Sequence, residues 1–393
     1  MQTSGEVLYK KSRKILIDLT YILNVKDLNK STSIYLQRFL DNIDTMVYSE
    51  YQFIFLVREG VFDYFSEKYN GLGIQFITFD ECKNISISFL KSIIDSKHWQ
   101  RQVNAIDCDV VYVPFTWIYS SRRINKKKII TIHDLKPIHE VAGKYNKRGK
   151  IIKHIMLALY RHYFSKSAKT ADAIITISEY VKAQIEKELS FKCPVYCVYN
   201  GVPVSDEYQK IDALENTRFI LYVNTLTEYK NVATLIKAFS LVNDSELALV
   251  IVGKETDYWK SVCVPFIRNE KIVRLQYVED AELNWLYKNA ALFVTTSTKE
   301  GFGYTPIEAA LRKTPVISTR CEALPEVTLG MATYYDNPYD EKQLAEKIKE
   351  VLCSMNSEEY NENLNKIYRS FSEKYDIKQN SQAILRILTE SEQ

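Results

Sequence analysis

The chain has 393 residues, of which 46% are hydrophobic and 26% charged, with a net charge of +3. This length predicts two or three globular domains, and no apolar run reaches the roughly 18 residues of a membrane span. The charged N-terminus lacks the apolar core of an export signal, and seven scattered cysteines are typical of reduced thiols. We therefore expect a cytoplasmic protein.

The charge is unevenly distributed along the chain. Residues 1–200 hold 30 basic and 20 acidic residues, whereas the remainder holds 22 and 29, and residues 101–166 alone carry a net charge of +10. Within that stretch, residues 144–166 predict a basic amphipathic helix. Such a helix is suited to an anionic membrane surface or a phosphorylated acceptor, but an ordinary domain helix with a solvated face fits equally well.

Short apolar runs alternate with helical segments through the first half of the chain, which predicts a parallel sheet. The segment 21–33, which follows the first run, contains no glycine. We expect the last of these runs, Ala173–Ser178, to close the sheet. The predicted strands are Lys14–Thr20, Phe53–Val57, Ile74–Thr78, Asp109–Pro114, Lys128–His133 and Ala173–Ser178.

His133 and Asp134 stand at the carboxyl end of a predicted strand. Ligands of open parallel sheets bind beyond that edge, so both residues are candidates for a site. The alternative is an aspartate that caps a helix beside a packed histidine.

Two patterns resemble metal sites, and we interpret neither as one. Asp107-Cys108-Asp109 precedes its strand and so lies away from the ligand edge, which favours a solvated turn. Cys193 and Cys197 flank an alternating Pro-Val-Tyr segment that suits a strand, without a second Cys or His pair nearby.

The second half of the chain repeats the alternating pattern. Residues 204–216 are polar and predict a linker, and a helix is predicted at Tyr375–Leu388. Lys230 follows the first of the predicted strands, which are Arg218–Val223, Leu247–Gly253, Val273–Val278, Ala290–Val294 and Pro315–Ser318.

A glycine loop stands between the last two of these strands. Gly301 and Gly303 let a backbone approach a phosphate, and Pro306 fits the first turn of the helix that follows. Helix N-termini bind anions, whereas Glu300 and Glu308 are suited to accept hydrogen bonds from sugar hydroxyls. Together they predict a nucleotide-sugar site.

The segment Glu300-Gly301-Phe302-Gly303, with Pro306 and Glu308, resembles the E-x7-E motif of family 4 retaining glycosyltransferases, and Leu324-Pro-Glu-Val327 resembles a second family segment. The chain departs from the family pattern at Lys313-Thr314, where x-Gly is common. It also has Thr225 where some members have arginine.

This resemblance implies an α/β protein of GT-B fold, with two Rossmann-like domains whose parallel sheets face each other across a cleft. It implies an acceptor-binding domain at 1–203, a linker at 204–216 and a nucleotide-sugar-binding domain at 217–374. The last helix, within 375–393, would cross back to the first domain.

The resemblance also implies roles for individual residues. His133, Lys230 and Glu300 would be catalytic, and no cofactor or obligate metal is expected. Lys230 would stabilise the leaving diphosphate, Glu300 would bind the sugar hydroxyls, and Glu308 would bind the ribose. The donor-binding residues would be Asp134, Thr225, Lys230, Val278, Glu300, Gly301, Phe302, Gly303, Tyr304, Thr305 and Glu308.

The implied function is a retaining transfer of a sugar from a nucleotide-sugar, with GDP-mannose favoured, to a glycan or lipid-linked glycan in surface-polysaccharide synthesis. An anionic membrane surface is a candidate partner and nucleic acid is not. Two alternatives stay open, namely a nucleotide-sugar epimerase of the same fold and a binding-only relative that positions a partner enzyme. The presence of Lys230, Glu300 and Glu308 argues against the binding-only relative.

Overall fold

The computed structural model describes residues 13–81, 88–116, 119–136, 147–267, 270–355 and 357–390. The chain divides into two compact units. The first holds the residues up to Ile177, Val181–Val198 and the residues from Lys378 onward, and the second holds Ser178–Tyr180 and Tyr199–Ile377.

The first unit contains a seven-stranded sheet in the order β3-β2-β1-β4-β5-β6-β7, with every neighbouring pair parallel. Its central strands are buried apolar runs, as expected for a parallel sheet covered on both faces. The strands are β1 Lys14–Asp18, β2 Gln52–Val57, β3 Gln75–Thr78, β4 Val110–Val113, β5 Lys127–Ile132, β6 Ala173–Thr176 and β7 Val195–Cys197.

One prediction for this sheet is wrong. β6 does not close it, because β7 pairs with β6 as a further strand. The helices of this half of the chain are α1 Ser31–Asp41, α2 Val47–Glu50, α3 Glu59–Lys68, α4 Ser88–Ala105, α5 Lys147–Lys169 and α6 Glu179–Glu188. The first part of the predicted helix 144–166, residues 144–146, lies outside the described residues.

The second unit contains a six-stranded parallel sheet in the order β10-β9-β8-β11-β12-β13. Its strands are β8 Arg218–Val223, β9 Leu247–Val252, β10 Ile272–Leu275, β11 Leu292–Val294, β12 Val316–Thr319 and β13 Thr333–Tyr335. The helices of this unit are α7 Val232–Val242, α8 Asp280–Asn289, α9 Tyr304–Ala310, α10 Leu324–Val327, α11 Glu341–Ser354 and α12 Glu358–Lys374. Apart from its first residue, the last helix, α13 Ile377–Thr389, belongs to the first unit.

Alternate residues of β8 show how this sheet is covered. Ile220 and Tyr222 pack in a core with residues of α7 and α11, whereas Phe219 and Leu221 pack in a second core with residues of α8. Successive side chains of a strand point to opposite faces, so helices cover both faces of the sheet. Two parallel sheets, each with helices, confirm the predicted α/β class.

The exit of α9 shows how the chain accommodates a departure from the family pattern. Lys313, in the Lys313-Thr314 pair that replaces the common x-Gly, has φ of +59°, in the left-handed region. Its ammonium lies 5.2 Å from the centre of the Tyr368 ring. The turn therefore keeps a conformation that glycine adopts more easily.

Candidate functional site

The predicted site residues of the second unit follow strands that are neighbours in its sheet. β8, β11 and β12 lie side by side and parallel, so the segments after them emerge at one edge. Lys230 follows β8, Glu300 follows β11, and Glu322 follows β12. The topology thus brings together segments that are far apart in sequence.

Lys230 is held in a short 3-10 turn, Glu228–Lys230, directly before α7. Its backbone carbonyl accepts hydrogen bonds from the Tyr222 hydroxyl at 3.1 Å and the Thr296 hydroxyl at 2.8 Å. The side chain is buried and forms an ion pair with Glu300. The sequence analysis predicted both as site residues but did not predict that they pair.

The Glu300 loop is fixed by contacts from both sides. Ser297 Oγ donates to Glu300 Oε1 at 3.1 Å, and the Glu300 N–H donates to the Glu322 carboxylate. The Glu300 carbonyl accepts from the Ala323 N–H at 3.2 Å. Glu322 itself has φ of +50°, a conformation unusual for its type. These contacts hold the Glu300 carboxylate on the buried Lys230 ammonium.

The glycine loop leads into α9 with a left-handed residue. Gly303 has φ of +95°, and a Cβ there would lie 3.0 Å from Leu324 Cδ2, so both conformation and space require glycine. Phe302 is buried, with its ring centre 5.9 Å from that of Tyr375. The Phe302 side chain is therefore used for packing, while Tyr304 and Thr305 are half-buried at the start of α9.

Glu308 is oriented by a residue that sequence reasoning missed. The hydroxyl of Tyr287, a buried residue of α8, donates to Glu308 Oε2 at 3.0 Å. Arg312 lies over the Tyr287 ring, with 5.4 Å between the guanidinium carbon and the ring centre. Arg312 also donates to the Glu308 carbonyl at 3.0 Å and to the Asn284 side chain. No local motif marks Tyr287, because its contact depends on the packing of α8 against α9.

Thr225 and Val278 are less closely tied to this cluster. Thr225 is exposed in the segment after β8, and its N–H donates to Asn224 Oδ1 at 3.1 Å. The strand predicted to reach Val278 ends at Leu275, so Val278 lies in the following loop. There it packs at the border of the core that contains Tyr287.

His133 and Asp134 belong to the first unit, directly after β5. His133 is buried, and its Nε2 lies 2.9 Å from the Pro114 carbonyl oxygen. Because a carbonyl can only accept, Nε2 carries the proton and Nδ1 is left as an acceptor. Burial lowers the pKa of His133 to about 4, against the smaller opposite effect of this hydrogen bond.

The neighbours of this pair are those that the capping interpretation predicts. Asp134 Oδ1 accepts from the Lys136 N–H at 2.9 Å, and the His133 ring packs edge-on to Tyr35 with 4.8 Å between centres. A packing role and a ligand role for His133 are compatible, because the hydrogen bond uses only one ring nitrogen.

The two patterns that resemble metal sites have structural explanations. Asp107 and Asp109 precede β4, where Asp109 Oδ2 accepts from the Lys14 N–H at 2.7 Å and Asp107 pairs with the Lys14 ammonium. Cys197 ends β7, as the strand interpretation predicts. Across the described ranges, no group of three His, Cys, Asp or Glu residues could hold a metal ion.

Comparison with protein families matches most of the chain. Residues 82–206 match the model described as Glycosyltransferase Family 4, and residues 204–370 match Glycosyl transferases group 1. Together they include every candidate site residue of both units.

Individual relatives agree with these models. The O-antigen chain mannosyltransferase RfbU of Salmonella typhimurium is 30% identical over 230 residues, which is 58% of this chain. The matched part spans about three fifths, 61%, of that relative's length.

Among solved structures, sucrose-phosphate synthase from Thermosynechococcus elongatus superposes with a TM-score of 0.70 at 15% identity, covering 95% of this chain and 98% of its own. The structure of Anabaena HepE in complex with UDP superposes with a TM-score of 0.68 at 14% identity, covering 96% of this chain and 99% of its own. These likenesses concern the fold. In the part of the chain that the structure describes, no helix is long and apolar enough to cross a membrane.

We predict that His133 makes stability fall in mild acid. The folded protein holds fewer protons on His133 than the unfolded chain between pH 6.5 and 4, so stability is lost as pH falls through that window. Between pH 7.5 and 5 the wild type should lose about 2 kcal/mol more unfolding free energy than His133→Gln.

Denaturant titrations at both pH values measure this difference. Burial raises the pKa of Asp18 to about 6, which makes stability rise as pH falls, opposite to the effect of His133. Both proteins share this contribution, so it cancels from the difference between them. Equal losses in the two proteins would contradict a neutral, buried His133.

Proposed function

We propose that this chain, which belongs to the family 4 glycosyltransferases of GT-B fold, transfers a hexosyl group from a nucleotide-sugar to a glycan or lipid-linked glycan acceptor. The observation that carries the proposal is the buried ion pair of Lys230 and Glu300 at a sheet edge that also holds the Gly303 loop. A cation, a sugar-binding carboxylate and a glycine turn are the groups that a sugar diphosphate needs.

In this proposal the second unit binds the donor. Glu308 accepts from the ribose hydroxyls, and Tyr287 fixes the direction of its carboxylate by occupying one oxygen. Glu300 accepts from the sugar hydroxyls with its remaining lone pairs. Lys230 has three N–H donors, of which Glu300 uses one, so the ammonium can also donate to a diphosphate oxygen.

The chemical step breaks one bond at the anomeric carbon and forms another. The bond from that carbon to the diphosphate oxygen breaks, and a bond to the acceptor oxygen forms on the same face, which retains configuration. The acceptor proton passes to the leaving phosphate oxygen. Negative charge grows on the diphosphate during this step, and a preorganised cation such as Lys230 stabilises it.

The proton on His133 limits what this residue can bind. With Nε2–H donated to Pro114, the neutral ring offers only Nδ1, which accepts hydrogen bonds. His133 would therefore receive a sugar hydroxyl and not a phosphate oxygen, which has no proton to give at neutral pH.

Mannose is the proposed sugar, supported by the name of the mannosyltransferase RfbU, and GDP is the nucleotide that the family resemblance favours. A thermal-shift screen of GDP, UDP and dTDP sugars, followed by mass spectrometry of the products, tests this. A glycan product with released nucleoside diphosphate supports transfer. Interconverted free nucleotide-sugar would indicate an epimerase, and binding without turnover a binding-only protein.

An anionic membrane surface at α5 is a further part of the proposal. This helix carries clustered lysines, and Ile155 on it is 51% exposed. Pelleting with anionic vesicles should weaken as salt rises, since attraction is screened over about 10 Å at 0.1 M. It should disappear when these residues are changed to glutamate: Lys147, Lys150 and Lys153. Equal pelleting of both proteins would refute this role.

We predict that Lys230→Ala lowers kcat by about 10²–10³-fold, the scale of removing one preorganised donor. Donor KM should change less, because the interaction strengthens as charge develops. Lys230→Arg should not restore full activity, since a planar fork places its charge differently. Steady-state transfer from GDP-mannose at saturating acceptor measures these effects.

The matched control is Arg320→Ala, at the same sheet edge. Arg320 is exposed and pairs with Asp336 at 3.1 Å, so its loss should leave kcat near the wild-type value. Because Lys230 is part of a buried pair, a thermal melt must show that Lys230→Ala is folded at the assay temperature. A normal kcat in Lys230→Ala would mean that this residue only helps binding.

We predict that Glu308→Gln weakens binding of GDP by about 10–100-fold, through loss of charged hydrogen bonds. Tyr287→Phe should weaken it by about 3–10-fold with little change in kcat, because Tyr287 acts only by positioning Glu308. Calorimetry measures both.

Tyr335→Phe is the matched control for Tyr287→Phe. Tyr335 is a buried tyrosine of β13, in the same unit, whose hydroxyl has no hydrogen-bond partner among the described residues. It should bind GDP as the wild type does. Unchanged affinity in Glu308→Gln would contradict the ribose assignment.

A further inference from the structure

A second group of cations surrounds a pocket in the first unit, away from the residues discussed so far. The pocket has a volume of about 250 Å³ and is lined by Lys97, Gln100, Arg101, Asn104 and Arg123. Three of these five residues are basic and none is acidic. This volume accommodates a group the size of a phosphate or diphosphate.

Helix α4 supplies four of the lining residues at regular spacing. Lys97, Gln100, Arg101 and Asn104 follow one another at intervals of three, one and three, which places them along one face of the helix. Gln100 is buried, whereas Lys97 and Arg101 are exposed, so the amide lies beneath the two charges.

The fifth residue, Arg123, is held over this helix face by the two amide side chains. Asn104 Nδ2 donates to the Arg123 carbonyl at 2.8 Å, and Asn104 Oδ1 accepts from the Asn125 N–H at 3.1 Å. Gln100 Nε2 donates to the Ser120 carbonyl at 2.5 Å. The loop before β5 is therefore anchored to α4 at two points, and Arg123 projects from an anchored backbone.

The three cations are not neutralised by the protein. Within the described ranges, no carboxylate pairs with Lys97, Arg101 or Arg123, whereas other cations of this unit, such as Arg58 with Glu81, do have partners. Like charges held near one another repel, and a bound anion would remove that repulsion. Arginine also matches the oxygens of a phosphate with two parallel donors.

The pocket and His133 lie at opposite edges of the first unit's sheet. α4 ends shortly before β4 begins, and Arg123 lies just before the start of β5. The pocket thus lies toward the amino ends of the strands, whereas His133 lies at the carboxyl ends, where sheets of this type bind substrates.

We propose that this pocket is a binding site for a phosphate or diphosphate group, distinct from the donor and acceptor sites. The group belongs either to a soluble phosphorylated compound or to a lipid headgroup, which share the same chemistry. A soluble compound would bind in this pocket, or a lipid headgroup would anchor the enzyme through it. In both cases the carboxyl edge of the sheet would stay available.

Calorimetry with inorganic pyrophosphate tests the proposal. Lys97→Gln/Arg101→Gln should weaken one binding event at least about tenfold, as expected for losing two charged hydrogen bonds. Arg123→Gln should weaken the same event. Lys230→Ala should leave it intact, so that failure here and failure of the proposed transferase site are distinguishable.

The matched control is Lys169→Gln/Lys187→Gln, which removes the same charge from exposed positions of this unit. It should bind pyrophosphate like the wild type. Equal pyrophosphate binding by the pocket variant and the wild type would overturn the proposal, as would an equal loss in the control.

Vesicles of phosphatidylcholine with phosphatidic acid distinguish the two sources of phosphate. Lys147, Lys150 and Lys153 of α5 are changed to glutamate in all proteins compared, so that this basic stretch of α5 does not contribute. If the pocket variant then loses vesicle binding that the control keeps, the ligand is a lipid headgroup. If it loses only pyrophosphate binding, the ligand is soluble.

Discussion

The buried ion pair of Lys230 and Glu300 is the contact on which the second unit's edge depends. The relative exposures of the two side chains are only 9% and 12%, so both charges are largely removed from water. Breaking such a pair leaves an uncompensated buried charge, at a cost of about 3–5 kcal/mol. Ser297 lowers the cost of burial by donating to Glu300. Backbone contacts link the same segments, because Tyr222 and Thr296 both donate to the Lys230 carbonyl.

This arrangement connects stability to the proposed chemistry. Lys230 and Glu300 each compensate the buried charge of the other. Neither the segment after β8 nor the segment after β11 can therefore move far without leaving a buried charge unpaired. The ammonium is therefore held in place before charge develops on a leaving group, which is what preorganisation requires. The Glu300 carboxylate has two oxygens with several lone pairs, so the ion pair with Lys230 leaves it able to accept from hydroxyls. A carboxylate alone would repel a diphosphate, and in the proposed function the ammonium of Lys230 beside it would offset that repulsion.

Sequence patterns predicted the parts of the fold that local residues determine. Buried apolar runs such as β8 and β9 were found at nearly their observed bounds, because both faces of a central strand are covered. The edge strand β7 was not counted in the sheet, since its three residues are only partly buried. Glu300 and Glu308 were proposed as site residues from their spacing, whereas the pairing with Lys230 and the contact from Tyr287 depend on strand order and helix packing. Those contacts have no local signature.

The turn that leads from β1 into the glycine-free segment 21–33 shows how side chains can fix a turn without glycine. Asp18, at the end of β1, accepts from the Thr20 N–H at 3.0 Å and the Thr20 hydroxyl at 2.6 Å. The buried Arg58 donates to the Thr20 carbonyl at 2.6 Å and is itself held by Glu81 and Tyr119. Both polar groups of the turn are thus satisfied by charged side chains that are buried with it. A turn held this way cannot give a ligand the close backbone approach that glycine allows. A ligand that approaches this turn therefore meets side chains, and His133 and Asp134 are the predicted residues that carry acceptor atoms at this edge of the first unit.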